Sequence, residues 1–303
     1  MTSRIAGETF TCCNSNGNDE QEKDEGETSH VSKTSSASAT GKVASSTAPN
    51  NTWSYCDSSV FHLRVGPNYQ KNGLKAPSNQ ALYNIVGVDI VKTPNKIDNI
   101  GSKVRIPDEW KSIRCNRTGV PPIFIVNLQM PSEFPTTIFK TITDGPGWSI
   151  VFYFQMSQDT CDALNGTKPS SNALKLFAQY CANAPEHIND DNSPWKGRFK
   201  LVAKCQNIDE FGFPSFITSY NAKPVLIKNT GTLIRGEDYL EMDINVHSFG
   251  SVPKKALQTM LNRFDRMVIN AGFCIESLND NEMPETLFGC ATLNQPSTDA
   301  TSF

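Results

Sequence analysis

The side chains of this 303-residue sequence that could do chemistry are few: four histidines, nine cysteines and one run of alternating carboxylates. Glu241 and Asp243 alternate with Leu240, Met242 and Ile244 and lead to His247, so the sharpest catalytic pairing is His247 with Asp243. Along a strand, however, four residues span about 13 Å, too far for a direct hydrogen bond. The two carboxylates are therefore expected on a solvated sheet face. His30 falls in a polar leader, His62 on the polar face of a strand and His187 in a loop before Trp195.

Cys12, Cys13, Cys56, Cys115, Cys161, Cys181, Cys205, Cys274 and Cys290 form no CxxC pair, no Cys/His cluster and no even framework. Structural zinc, and metal binding in general, is not expected. Cys181, Cys205, Cys274 and Cys290 occupy apolar positions, where burial makes a thiol inert. Gly145-Pro146-Gly147 has no following Lys or helix and reads as a turn, not a phosphate cradle. With GxSxG, HExxH, P-loop and GxGxxG patterns all missing, the protein is read as non-enzymatic, with no cofactor.

These residues must be held by elements, and the composition bounds which. Residues 1–52 are rich in Ser, Thr, Asn, Gly and Glu and nearly free of aliphatic side chains, so they are expected to be a disordered tail, as are residues 295–303. Residues 53–294 are read as one domain. Residues 1–50 carry 4 basic and 7 acidic side chains of the total 28 and 31, leaving 24 of each beyond. A neutral domain without a basic run is not expected to bind nucleic acid. No secretory signal is read at the amino terminus, and no apolar run reaches membrane-spanning length, which predicts a cytoplasmic protein with at most peripheral membrane attachment.

Two-residue alternation dominates the domain, clearest at 240–246, 61–65, 126–130 and 199–203, with further strands at 85–91, 150–154, 216–220, 225–228 and 287–293. The segments 224–228 and 239–246 read as neighbouring strands joined by a loop. A three-and-four-residue apolar spacing through Leu257, Met260, Phe264, Met267 and Ala271 predicts one long amphipathic helix over 253–275, and a shorter one is predicted over 172–182. The expected fold class is α+β, a curved, mostly antiparallel sheet of about nine strands with the long C-terminal helix on its apolar face.

The ordered motifs TWSYCDSSVFHLR, VGVDIVKTPNKIDNIGSK, GVPPIFIVNLQMP, SIVFYF, GRFKLVAKC, KPVLIK, RGEDYLEMDINVHS and PETLFGCATL span residues 53–294. Together they resemble the C-terminal domain of the plant Enhanced Disease Resistance 2 proteins. There the domain follows pleckstrin-homology and START lipid-transfer modules, neither of which is expected in these 303 residues. The resemblance implies a regulatory or lipid-associated unit and carries over no functional residues.

The leading expectation is therefore a non-enzymatic regulatory module associated with lipid, with Met242, Met260, Phe264 and Met267 as the side chains able to line an adaptable acyl cavity. The alternative is a protein-interaction module without a cavity, meeting a signalling partner through a polar face such as Glu241, Asp243 and Asn245. Adjacent Cys12 and Cys13 offer a site for dual S-palmitoylation, since two chains anchor a protein stably where one does not. Acyl-biotin exchange tests this: native protein is expected to carry a hydroxylamine-sensitive label, and a Cys12→Ser, Cys13→Ser variant is expected to lose both label and membrane fractionation.

Overall fold

The structure, a computed structural model, describes residues 50–117, 119–134, 143–188 and 190–298. Cys12 and Cys13, with the rest of the leader, lie outside the described residues. The described residues form twelve strands: β1 Thr52–Tyr55, β2 His62–Arg64, β3 Lys75–Pro77, β4 Tyr83–Thr93, β5 Ile123–Pro131, β6 Gly147–Met156, β7 Phe199–Cys205, β8 Pro224–Leu226, β9 Gly231–Arg235, β10 Tyr239–Asn245, β11 Val268–Ile275 and β12 Leu287–Asn294. The α-helices are α1 Tyr69–Asn72, α2 Gln158–Leu164, α3 Asn172–His187, α4 Ser215–Thr218 and α5 Ser251–Leu261.

The class is α+β, but in place of one nine-stranded sheet there are two five-stranded sheets and a hairpin. The first sheet runs β1-β12-β11-β7-β8, the second β4-β6-β5-β10-β9, and β2 pairs with β3. All pairings are antiparallel except β5 with β10, which run parallel in register Asp243 to Asn127 and Asn245 to Gln129. The sheets meet face to face through aromatic rings: Phe124, Phe152 and Phe154 of the second sheet against Phe199, Phe273 and Phe288 of the first. Phe288 lies 4.6 Å from Phe124 and 6.1 Å from both Phe154 and Phe273, ring centre to ring centre. Such ring pairs add about 0.5–1.5 kcal/mol each beyond the area they bury.

The long helix over 253–275 does not form. α5 ends at Leu261, a single 3-10 turn follows at Phe264–Arg266, and β11 begins at Val268. Met267, Ala271 and Ile275 satisfy helical spacing and strand parity equally. Asn270 and Gly272 are poor helix formers, and pairing on both sides with β7 and β12 selects the strand. The expected strand at 216–220 is the short helix α4, with Phe216 and Tyr220 exposed, so its alternation did not report burial. The pairing expected between 224–228 and 239–246 is also corrected: β8 joins β7, whereas β10 lies between β9 and β5.

Gly147 opens β6 where the Gly-Pro-Gly turn ends, and a Cβ there would fall 1.9 Å from the Met130 carbonyl oxygen. At Gly147 the turn packs strand closely against strand. Ser171 caps α3 by accepting from Leu174 N–H at 3.1 Å, and Phe177 of α3 inserts among Tyr83, Phe124 and Phe288. Because Phe288 contacts rings from both sheets and α3, Phe288→Ala is expected to cost about 3–5 kcal/mol in urea unfolding. A loss below about 1 kcal/mol is incompatible with this interface.

Candidate functional site

The four side chains expected to line an acyl cavity are placed as follows. Met242 and Met267 are fully buried, Phe264 is buried, and all three belong to the packed core between the sheets; Met260 is half-buried against it from α5. None of them lines the surface pocket described below.

Glu241 and Asp243 are not solvated. They are 0% and 2% exposed, because residues 97–110 lie over the outer face of the second sheet, with Ile97, Ile100, Val104, Ile106 and Trp110 packed on Ile123, Ile125, Val151, Tyr153 and Tyr239. The Glu241 carboxyl oxygens accept from Ile100 N–H at 2.7 Å and Gly101 N–H at 2.8 Å. Asp243 accepts from Asn99 N–H at 2.9 Å and Asn127 Nδ2 at 2.7 Å. Burial, and then the adjoining Asp243, push the Glu241 carboxyl far above the usual range against those two backbone donors, and burial also raises Asp243. The pair therefore shares one proton at neutral pH. It acts as a latch on the covering segment. His247 is buried as well, and the charges that it feels come from Asp144, Lys254 and Lys96, not from Asp243.

At neutral pH the folded protein holds a proton that the unfolded chain has released, so its stability falls as pH rises through the displaced titration. Wild-type urea midpoints are expected to decline from mildly acidic to alkaline pH, and Glu241→Gln is expected to flatten that decline. Equal slopes for the two proteins would overturn the shared-proton assignment.

Burial raises the Cys181 and Cys205 thiols and pushes Cys274 up to about 12, the direction that disfavours the thiolate. Cys56 departs from them, lowered by its contact with Cys290.

The site with access to solvent lies at the hairpin end. A concavity of about 250 Å³ is walled by Arg64 from β2, by Asn68, Tyr69 and Lys71 of the turn and helix α1, and by Leu278 and Asp280 from the segment before β12. Asn68 N–H donates to both Asp280 oxygens at 2.9 and 3.0 Å, pinning one wall to the other. Arg64 stands over the Tyr69 ring at 5.0 Å, and its Nη2 donates to Ser277 O at 2.7 Å and Glu285 Oε1 at 2.5 Å. Behind it, Lys200 Nζ meets the same Glu285 oxygen at 2.6 Å, and Arg198 pairs with Glu282 at 2.5 Å. Burial would raise the Glu285 carboxyl, but Arg64 and Lys200 hold it below its ordinary value. This network fixes Arg64 as a rigid part of the wall. Lys71 is exposed, with no ion pair among the described residues. Leu278, in the wall, and Leu74, just past α1, are 50% and 53% exposed.

Sequence reading missed this site. Arg64, Lys200 and Glu285 lay within recognised motifs, Arg64 and Lys200 at polar positions of alternating segments, and none was singled out. Lys200 alternates in phase with Lys204 on β7, so nothing local marked it as the buried one of the two.

Comparison with curated proteins and with solved structures returns no match. Comparison with protein families matches residues 53–296, the region containing both sheets and the pocket, to the family described as Protein ENHANCED DISEASE RESISTANCE 2, C-terminal. With most of its length so matched, the chain belongs to the ENHANCED DISEASE RESISTANCE 2 C-terminal family.

Proposed function

We propose that this domain is a non-enzymatic regulatory module that associates with anionic lipid at a membrane surface, taking a headgroup into the Arg64–Lys71 pocket. The observation that carries the reading is the pairing of chemistries there: a polar concavity walled by Arg64 and Lys71, with exposed Leu278 in its wall and exposed Leu74 just past α1. A cation near an anionic headgroup and an apolar side chain in the acyl boundary act together at such an interface. Lys71 supplies charge that no described acidic partner neutralises, and the Arg64 network keeps the wall in shape before any ligand arrives. An internal acyl cavity has less support, since the space between the sheets is occupied by rings.

The non-enzymatic reading rests on how the displaced titratable groups are used. Glu241 and Asp243 are spent on the backbone of 99–101. The protein-partner alternative loses the face first considered for it, because Glu241 and Asp243 lie under residues 97–110. No helix among the described residues is long and apolar enough to cross a membrane.

Flotation with vesicles tests the proposal. The full chain is expected to bind phosphatidylserine-containing vesicles, to bind pure phosphatidylcholine weakly, and to release as salt rises. Lys71→Glu is expected to weaken binding about thirtyfold, from a charge change worth roughly 2 kcal/mol at an anionic surface. Leu278→Asp should weaken it further. Equal binding to both vesicles, or variants that float like wild type, would sink the reading.

A further inference from the structure

Two of the free cysteines are neighbours at one edge of the first sheet. β1 is the edge strand, and its pairing with β12 runs from Thr52 opposite Asn294 to Tyr55 opposite Ala291. One step further along the same register sets Cys56 opposite Cys290. Cys290 Sγ lies 3.2 Å from the Cys56 carbonyl oxygen, and the two thiols contact each other. The residues are 234 positions apart in the chain, so it is the pairing of β1 with β12 that joins them.

Opposed residues of an antiparallel pair have Cα atoms about 4.5 or 5.5 Å apart, inside the roughly 4.4–6.8 Å that a disulfide spans. Their Cβ atoms, about 4.5–5.5 Å apart, must close by about 1 Å for the bond to form. β1 has freedom to make that move, because it is four residues long and bonded to the sheet on one side only. Cys274, in the same apolar cluster, sits instead on β11, a strand held from both sides.

Access also separates this pair from the other buried thiols. Cys56 and Cys290 are 3% and 4% exposed, against 0% for Cys181 and Cys274. Directly after Cys56 the chain leaves the sheet, with Asp57 exposed and a 3-10 turn at Ser58–Val60. A short edge strand next to such a turn is among the first segments to open locally, and opening admits a small oxidant. Contact with Cys290 lowers the Cys56 thiol against the effect of burial, and Thr292 and Lys204 act in the same direction. Cys56 is therefore the sulfur that attacks first.

We infer that Cys56 and Cys290 are a redox site, a dithiol that a hydroperoxide converts into an intramolecular disulfide stapling β1 to β12. The Cys56 sulfur attacks the terminal peroxide oxygen; an S–O bond forms, the O–O bond breaks, and the departing alkoxide or hydroxide takes up the thiol proton as alcohol or water. The Cys290 sulfur then attacks the Cys56 sulfenic sulfur; the S–S bond forms, the S–O bond breaks, and hydroxide leaves as water with the Cys290 proton. Two electrons pass from the two thiols to the peroxide, and a thiol reductant reverses the change by exchange. Burial, the ground for expecting Cys290 to be inert, slows the first attack but leaves the second thiol already in place. The bond would fix the edge strand to which the leader is attached, and it does not involve the lipid pocket.

Treatment of the full chain with hydrogen peroxide tests the inference. Protein reduced with dithiothreitol and desalted is exposed to peroxide, denatured in N-ethylmaleimide and digested without reductant. Mass spectrometry is expected to find one linkage, joining the Cys56 and Cys290 peptides, with both thiols recovered after dithiothreitol. The oxidised protein is expected to unfold several degrees above the reduced one, since the bond closes a long loop. Cys56→Ala and Cys290→Ala should each abolish both the linkage and the difference in Tm, and the wild-type peptide map decides the matter if either variant folds poorly. Full alkylation of Cys56 and Cys290 after peroxide overturns the inference. So does a linkage of either one to Cys274, Cys12 or Cys13 instead, or a Tm difference that Cys56→Ala retains.

Discussion

The ring contacts between the two sheets govern what the rest of the molecule is free to do. Phe152 and Phe154 run up β6 and meet Phe273 at 5.4 and 5.7 Å, while Phe288 reaches from β12 to Phe124. Space for these rings is made by small residues: a Cβ on Gly289 would come within 2.6 Å of the Phe154 ring. Excluding water from such an interface is the main source of stability for paired sheets, and it fixes the parity of every strand that contributes to it. It also fills the interior, which moves recognition to the surface.

The second sheet has the further difficulty of a buried outer face, half apolar and half polar. The apolar half is covered by Ile97, Ile100, Val104, Ile106 and Trp110. The polar half is handled by turning backbone donors of 99–101 onto Glu241 and Asp243, and by retaining a proton between two carboxyls that cannot both ionise in so little water. The donors run out at Asn127, Gln129 and Ser149, where acceptors remain in excess. The first sheet is covered more simply on its outer face, where Cys56, Phe61 and Leu63 pack on Val202, Cys274, Leu287 and Cys290.

At the hairpin end, charge replaces apolar packing. Glu285 Oε1 receives Arg64 and Lys200 together, and Ser277 N–H donates to the same oxygen at 3.0 Å. A buried charge array of this kind contributes little net stability, because desolvation offsets much of the attraction, but it admits few alternative arrangements. That rigidity suits a wall whose outward side, with Tyr69, Lys71 and Leu278, faces solvent.

The sequence by itself determined much of this. Alternation located β5, β7 and β10, apolar runs between turn residues located β4, β6 and β12, the apolar face located α3, and the order of motifs identified the family, since each of these is local or collinear. Tertiary structure alone decided the remainder. Whether 268–275 is helix or strand depended on its partners β7 and β12, because its apolar spacing serves both periods. Whether Glu241 and Asp243 are wet depended on a distant segment folding over them, and alternation shows that two faces differ without showing what covers either. The pocket joins β2, α1 and the approach to β12, more than 200 residues apart, as the bond from Asn68 to Asp280 records. Partnership across that separation is set by which strand edges pair, and no spacing in the chain encodes it.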